Sequence, residues 1–362
     1  MRHTVPVKLT AARAWRTYTG GSQIDKIHGI ENSQDTQFPE EWIMSTVQAR
    51  NPGREDIEEG ICYLDGQNMS LKEYIETWPE EALGKAHLEK VGKTTGVLVK
   101  IIDAAERLTV QCHPNKEQAL RLFNSQFGKT ECWYILGGRE IDGEKPSLYF
   151  GFKEGIDRSR WEDAFYRQDI PAMLGMMHHF EVHPGETFLI RGGVPHAIGA
   201  GCLLVEIQEP TDYTIRIERV TPKGLRISDL QCHQGLGFER MFECFDFTGY
   251  SQDDTFRNWK IPPRILEKTD NAVREELVGY QDTPCFCMER CVITGTYAFR
   301  ASGRFFGIYV LSGKGVLTGE EGSMDFCAGD QFFVPAACHD FSMTAEIPVT
   351  LFLCRGPRID GE

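Results

Sequence analysis

Apolar residues in this chain fall mostly in short runs, each broken within a few positions by Gly, Pro or Asp. The clearest lie at 96–102 (GVLVKII), 188–190, 203–207, 305–311 and 331–334. Runs of this length between turn signals predict strands, and a succession of them predicts a barrel or a double-sheet jelly roll. Helical spacing is confined to 70–77, 116–123 and 159–177. Pro114, just before the second stretch, suits a helix start. Ser159 with Glu162 has the spacing of a capping box and predicts a helix beginning there. His178 and His179 then fall at that helix's end.

The chain also echoes itself. Residues 184–196 (PGETFLIRGGVPH) and 328–339 (AGDQFFVPAACH) both read as a Gly-acid turn, a short apolar strand, a tight bend and a His. Two copies of one pattern point to two related barrels in tandem. The segment before the second copy, 306–315 (FGIYVLSGKG), has no His, Glu or Gln at ligand spacing. A metal needs several donors together, so His339 reads as structural and the second barrel as metal-free. The expected architecture is therefore mainly β: tandem jelly-roll barrels over 1–237 and 238–362. A small helical section, about 114–127 and 154–177, lies beside the first barrel, and the second barrel packs on the first and closes one side of its site.

Composition narrows the class. Of 362 residues 41% are apolar and 25% charged, enough for a buried core. A net charge of −14 disfavours a nucleic-acid surface but leaves room for a small anion in a locally basic pocket. No apolar run approaches bilayer length, and the first residues lack a secretory apolar core, so a cytoplasmic protein is expected. Twelve cysteines without a CxxC pair read as reduced, mostly buried thiols.

Candidate chemistry begins at Thr109-Val110-Gln111-Cys112-His113-Pro114. Gln111 and His113 are two apart, so a strand projects both from one face and Cys112 from the other. Glu131 opens the apolar stretch that ends at Leu136, and His196 closes the turn described above. Gln, His, Glu and His form a mixed N/O donor set suited to Zn²⁺ or another borderline divalent ion. Spacing alone leaves these residues readable either as ligands or as ordinary polar strand positions.

The blocks VKIIDAAERLTVQCHP (99–114), GKTECWYIL (128–136) and GGVPHAIGAGCLLVEIQEPTD (192–212), in this order, closely resemble type I mannose-6-phosphate isomerases of the cupin superfamily. The resemblance covers about residues 1–235 well and the rest as a weaker second cupin. It implies Gln111, His113, Glu131 and His196 as ligands of one zinc ion. It also implies Arg216 as a reactive arginine, Lys129 and Glu206 as active-site groups, and Thr109 in place of a Ser near the phosphate. Val220-Thr221-Pro222-Lys223-Gly224 is similar to the family's Thr-Pro-Lys block. Cys112, Glu209-Pro210 and Glu218-Arg219-Val220 depart from the usual pattern.

On this resemblance the chain is expected to interconvert mannose 6-phosphate and fructose 6-phosphate through an enediol. Glu206 would serve as base, with Lys129 and Arg216 as cations for the enediolate and the phosphate. Thr109, Lys129 and Arg216 would hold the substrate, and the protein would be a monomer or homodimer. Rival readings are a cupin that binds a sugar without turning it over, an isomerase of another sugar phosphate, and a metal-dependent oxygenase. The oxygenase is disfavoured because its iron sites are His-rich.

Overall fold

The computed structural model describes residues 3–51 and 53–359. Three antiparallel-dominated sheets organise them. A seven-stranded sheet runs in the order Lys260–Ile261, Thr187–Ile190, Glu131–Gly138, Cys202–Gln208, Leu98–Asp103, Glu40–Ile43, Ala12–Ala14. Facing it, a six-stranded sheet contains Ile215–Arg216, Gln111–Cys112, His196–Ile198 and Ser147–Lys153. A nine-stranded sheet, built largely from residues beyond 260, curls around a core of its own. The chain is mainly β, as the short apolar runs predict.

Alternation explains how the first two layers stack. In the central strands Lys100, Ile102, Trp133, Leu204 and Glu206 face one side, and Val99, Ile101, Tyr134, Val205 and Ile207 the other. The second set packs against Tyr309, Phe286 and Phe352 of the nine-stranded sheet, with Tyr134 meeting Phe352 edge-on at 5.5 Å. Each fully buried aliphatic or aromatic side chain there contributes roughly 1.5–3 kcal/mol. The first set is left to line the interior of the first barrel. The C-terminal sheet thus backs the outer face of the site's own sheet, and among the described residues every one lining the site cavity precedes residue 238. It does not close a side of the cavity, contrary to the sequence expectation.

The strand Lys260–Ile261 pairs with Thr187–Ile190, and Val7–Leu9 pairs with Gln331–Val334, so the N-terminal strand joins the C-terminal sheet and a strand from beyond residue 238 joins the site's sheet. Helices Lys116–Phe123, Arg158–Arg167 and Ile170–Gly175 lie in the two expected helical stretches. The predicted 159–177 helix breaks because Gln168 takes a left-handed conformation (φ 53°) and Pro171 follows. Its N-cap is Asp157, which accepts from Arg160 N, whereas Glu162 pairs with Arg158 at 2.5 Å. The Ser159 capping box is therefore not formed. His178 and His179 lie in the strand Met177–Glu181 and not at a helix end.

Candidate metal centre and active site

Two glycines let the site's turns meet. A Cβ on Gly192 would sit 2.5 Å from Asn115 Cα, and one on Gly128 would sit 2.8 Å from Asn115 C. Only these bare backbones can flank the Pro114–Asn115 turn so closely. The Gly193 amide donates to the His113 carbonyl at 2.7 Å, so the loop before His196 is tied to the turn after His113. Glu131 starts the strand next to that turn.

The result is a buried cluster. His113, Glu131 and His196 are at most 1% exposed, and their ligating atoms all lie within 4.8 Å of one another. Among the described residues this is the one group of three or more His, Cys, Asp or Glu side chains placed to hold a metal. His113 Nδ1 lies 2.8 Å from the Tyr213 carbonyl, and His196 Nδ1 lies 2.9 Å from the Val194 carbonyl. A carbonyl only accepts, so each ring carries its proton on Nδ1 and turns an Nε2 lone pair inward. Those Nε2 atoms stand 3.2 and 3.1 Å from the two Glu131 oxygens. Among the described residues neither Glu131 oxygen nor His196 Nε2 makes a hydrogen bond. Buried acceptors aimed at one another need a cation between them, and this donor set fits Zn²⁺.

The nearest cation on the chain is Lys129. Its ammonium lies 2.9 Å from His113 Nε2 and 3.4 Å from Glu131. Burial, with Lys129 beside it, pushes the His113 pKa down to about 3, the neutral form a ligand requires. Burial also lowers the pKa of Lys129, with Glu131 opposing. For Glu131 burial alone would act upward, yet its cationic surroundings hold it well below the usual carboxylate range. With His113 neutral, Lys129 is the cation that keeps Glu131 ionised. Gln111 lies directly across from His196 on one side and from Arg216 on the other.

In front of this cluster opens a cavity of about 780 Å³, lined by Thr109, Gln111, Lys129, Glu206 and Arg216 among others. Five sequence-predicted residues therefore share one wall system with the three buried candidates behind them. Arg216 donates to the backbone carbonyls of Gln231 (3.1 Å) and Thr214 (3.4 Å), which aims its guanidinium along the cavity. Cys112 turns away, its thiol donating to the Cys244 carbonyl at 3.2 Å.

Sequence reasoning missed a chain of charges along the same wall. Glu206 Oε1 pairs with Lys100 at 2.9 Å, and its Oε2 accepts from the Trp133 indole at 2.9 Å. Lys100 also lies 3.9 Å from Glu40, which pairs with Arg16 at 2.9 Å, and Arg16 grips Asp212 at 3.0 and 3.3 Å. The signal for Lys100 was present: a lysine inside the apolar run GVLVKII is a buried charge in need of partners. Burial would lower its pKa, but Glu206 and Glu40 raise it above the ordinary value, so it remains a cation.

The chain matches two family models, the type I phosphomannose isomerase catalytic domain over residues 12–129 and the mannose-6-phosphate isomerase cupin domain over 279–351. It is 28% identical over 256 residues to GmuF of Bacillus subtilis, designated a probable mannose-6-phosphate isomerase, covering 70% of this chain and 73% of that one. Mannose-6-phosphate isomerase ManA of the same organism is 24% identical over 290 residues, 78% and 84% of the two chains. In fold the chain resembles the crystal structure of a Bacillus subtilis mannose 6-phosphate isomerase (TM-score 0.75, 20% identity, 97% of this chain and 100% of that one). A zinc-bound mannose 6-phosphate isomerase is similarly close (TM-score 0.70, 14% identity, 98% and 100%).

Proposed function

Because the chain belongs to the type I phosphomannose isomerase family of isomerase enzymes, we propose that it interconverts mannose 6-phosphate and fructose 6-phosphate at this cavity through an enediol. The observation that carries the proposal is the meeting of a cation-ready cluster with the buried Lys100–Glu206 pair on one cavity wall.

Glu206 is the base in this reading. Its carboxylate takes the proton from C2 of the open-chain aldose and returns it to C1, while the hydroxyl proton passes from O2 to O1. Lys100 and the Trp133 indole hold that carboxylate in one orientation as it does so. Lys129 and Arg216 place positive charge where the enediolate oxygens and the phosphate would lie, with Thr109 beside them. One Zn²⁺, held by Gln111, His113, Glu131 and His196, would supply Lewis-acid polarisation of a substrate oxygen. The inward Nε2 lone pairs facing the buried Glu131 oxygens support that ligand set.

The catalytic unit is read as residues 1–237, which hold every cavity residue, and 238–362 as a metal-free cupin. The enzyme is read as cytoplasmic, a monomer or homodimer, with no nucleic-acid or membrane partner. A charge of −14 disfavours a nucleic-acid partner, and no helix among the described residues is long and apolar enough to cross a membrane. The test is conversion of mannose 6-phosphate by the purified protein, with elemental analysis of the same sample. Turnover with about one zinc per chain is expected.

A further inference from the structure

The cavity wall carries one group whose work lies elsewhere. Arg16 comes from the loop after the strand Ala12–Ala14, lines the cavity, and is only 7% exposed. Its Nε meets Glu40 at 2.9 Å, and Nη2 and Nη1 meet the two oxygens of Asp212 at 3.0 and 3.3 Å. Its guanidinium lies 5.6 Å from the Trp42 ring. A side chain so fully engaged has little left to offer a substrate. It stands instead second in an alternating series, Asp212, Arg16, Glu40, Lys100, Glu206, whose links measure 3.0, 2.9, 3.9 and 2.9 Å.

Both ends of that series touch the chemistry. Asp212 immediately precedes Tyr213, whose carbonyl orients the His113 ring. At the other end Lys100 is shared between Glu40 and Glu206. We propose that Arg16 is a positioning residue: by gripping Asp212 and Glu40 at once, it fixes the Tyr213 carbonyl behind His113 and leaves Lys100 to Glu206. Without it, three buried carboxylates would compete for one lysine, and Lys100 would move toward Glu40. The strap from Glu209 to Thr214 has other anchors. Thr211 donates to the Gly128 carbonyl at 2.7 Å, and Tyr213 stacks on Phe123 at 4.4 Å. Loss of Arg16 should therefore loosen the strap without unfolding it.

The inference rests on the isomerase reading, and its test separates the two. Arg16→Met, Arg16→Lys, Asp212→Asn and the double variant Arg16→Met/Asp212→Asn would be compared with wild type. The measurements are kcat and KM for mannose 6-phosphate, and zinc retention against a competing chelator. Arg16→Met should lower kcat and weaken zinc retention by about 10- to 100-fold each, the usual effect of losing a ligand's supporting partner, with KM little changed. Arg16→Lys should recover part of both. The double variant should be no worse than the more impaired single one, because both remove one grip. A rise in KM alone would make Arg16 a substrate contact and overturn the proposal, as would additive losses or undiminished zinc retention. A wild-type protein inactive on mannose 6-phosphate would overturn the isomerase reading, and the zinc series would still decide the role of Arg16. Should Arg16→Met fail to fold, Arg16→Lys and Asp212→Asn carry the same comparison.

Discussion

Lys100 and Glu206 lie directly opposite each other in adjacent strands, and their charged ends meet at 2.9 Å in an interior where each is at most 4% exposed. Trp42 and Trp133 flank them in the same row, paired across the sheet with Lys100 and Glu206 respectively. A buried ion pair of this kind is weak evidence for stability and better evidence for function. It gives the proposed base a fixed direction and a counter-charge that water would otherwise supply.

Removing the lysine should show this. Lys100→Met leaves the Glu206 carboxylate buried and unpaired, which typically costs about 3–5 kcal/mol. A urea midpoint shifted accordingly, with kcat lowered about 100-fold or more, is expected. Lys100→Arg should keep the charge and most of the stability but not the geometry. Wild-type kcat in Lys100→Met would remove the pair from the mechanism.

Acid should weaken the same wall through Glu40. Burial alone would raise its pKa, but Arg16 and Lys100, with bonds from Tyr18 and Trp42, lower it to about 2. A folded pKa below the unfolded one means stability that is present above the unfolded value, about 4.3, and lost as pH falls from there toward 2. The shift of about two units corresponds to roughly 3 kcal/mol. Unfolding free energies of wild type and Glu40→Gln should differ clearly at pH 7, and the gap should narrow below about pH 4.3 and close only toward pH 2. A gap that does not narrow would mean Glu40 is not held ionised.

Much of this could be read in the chain before folding. The strands at 188–190, 203–207 and 331–334 follow from apolar runs between turn signals, and each lies within an observed strand. The wall behind the ligands could not be read that way. Glu206 and Lys100 sit inside apolar runs, where periodicity registers only a strand, and their partnership depends on a register between strands about 100 positions apart. Arg16 and Asp212 are separated by 196 positions, with no local pattern to join them. Ser159 is not the cap because the helix starts earlier: Asp157 accepts from the Arg160 amide, which places Ser159 inside the first turn.

His113→Ala and His196→Ala should each lose zinc and activity together, because each removes a neutral nitrogen the other donors cannot replace. His339→Ala is the control. Its ring is half exposed and pairs with Glu320 at 2.7 Å on the surface, so neither zinc content nor turnover should change. Elemental analysis and steady-state rates check all three. Full zinc in either of the first two variants would contradict the ligand set.

Arg216 distinguishes stabilisation of the transition state from anchoring of the substrate. If its charge acts mainly on the enediolate, Arg216→Ala should lower kcat by about 10²–10³ while KM rises little. Arg216→Lys should recover only part of the rate, since it lacks the planar fork. Normal kcat with weakened binding would make Arg216 a phosphate anchor instead.

The most direct test of the account is the rate of fructose 6-phosphate formation from mannose 6-phosphate by one preparation in three states: as purified, stripped by a chelator, and reconstituted with one equivalent of zinc. The account predicts activity in the first, its loss in the second, and its return in the third with about one zinc bound per chain. Undiminished turnover by fully stripped protein, or no turnover by the reconstituted one, would contradict it.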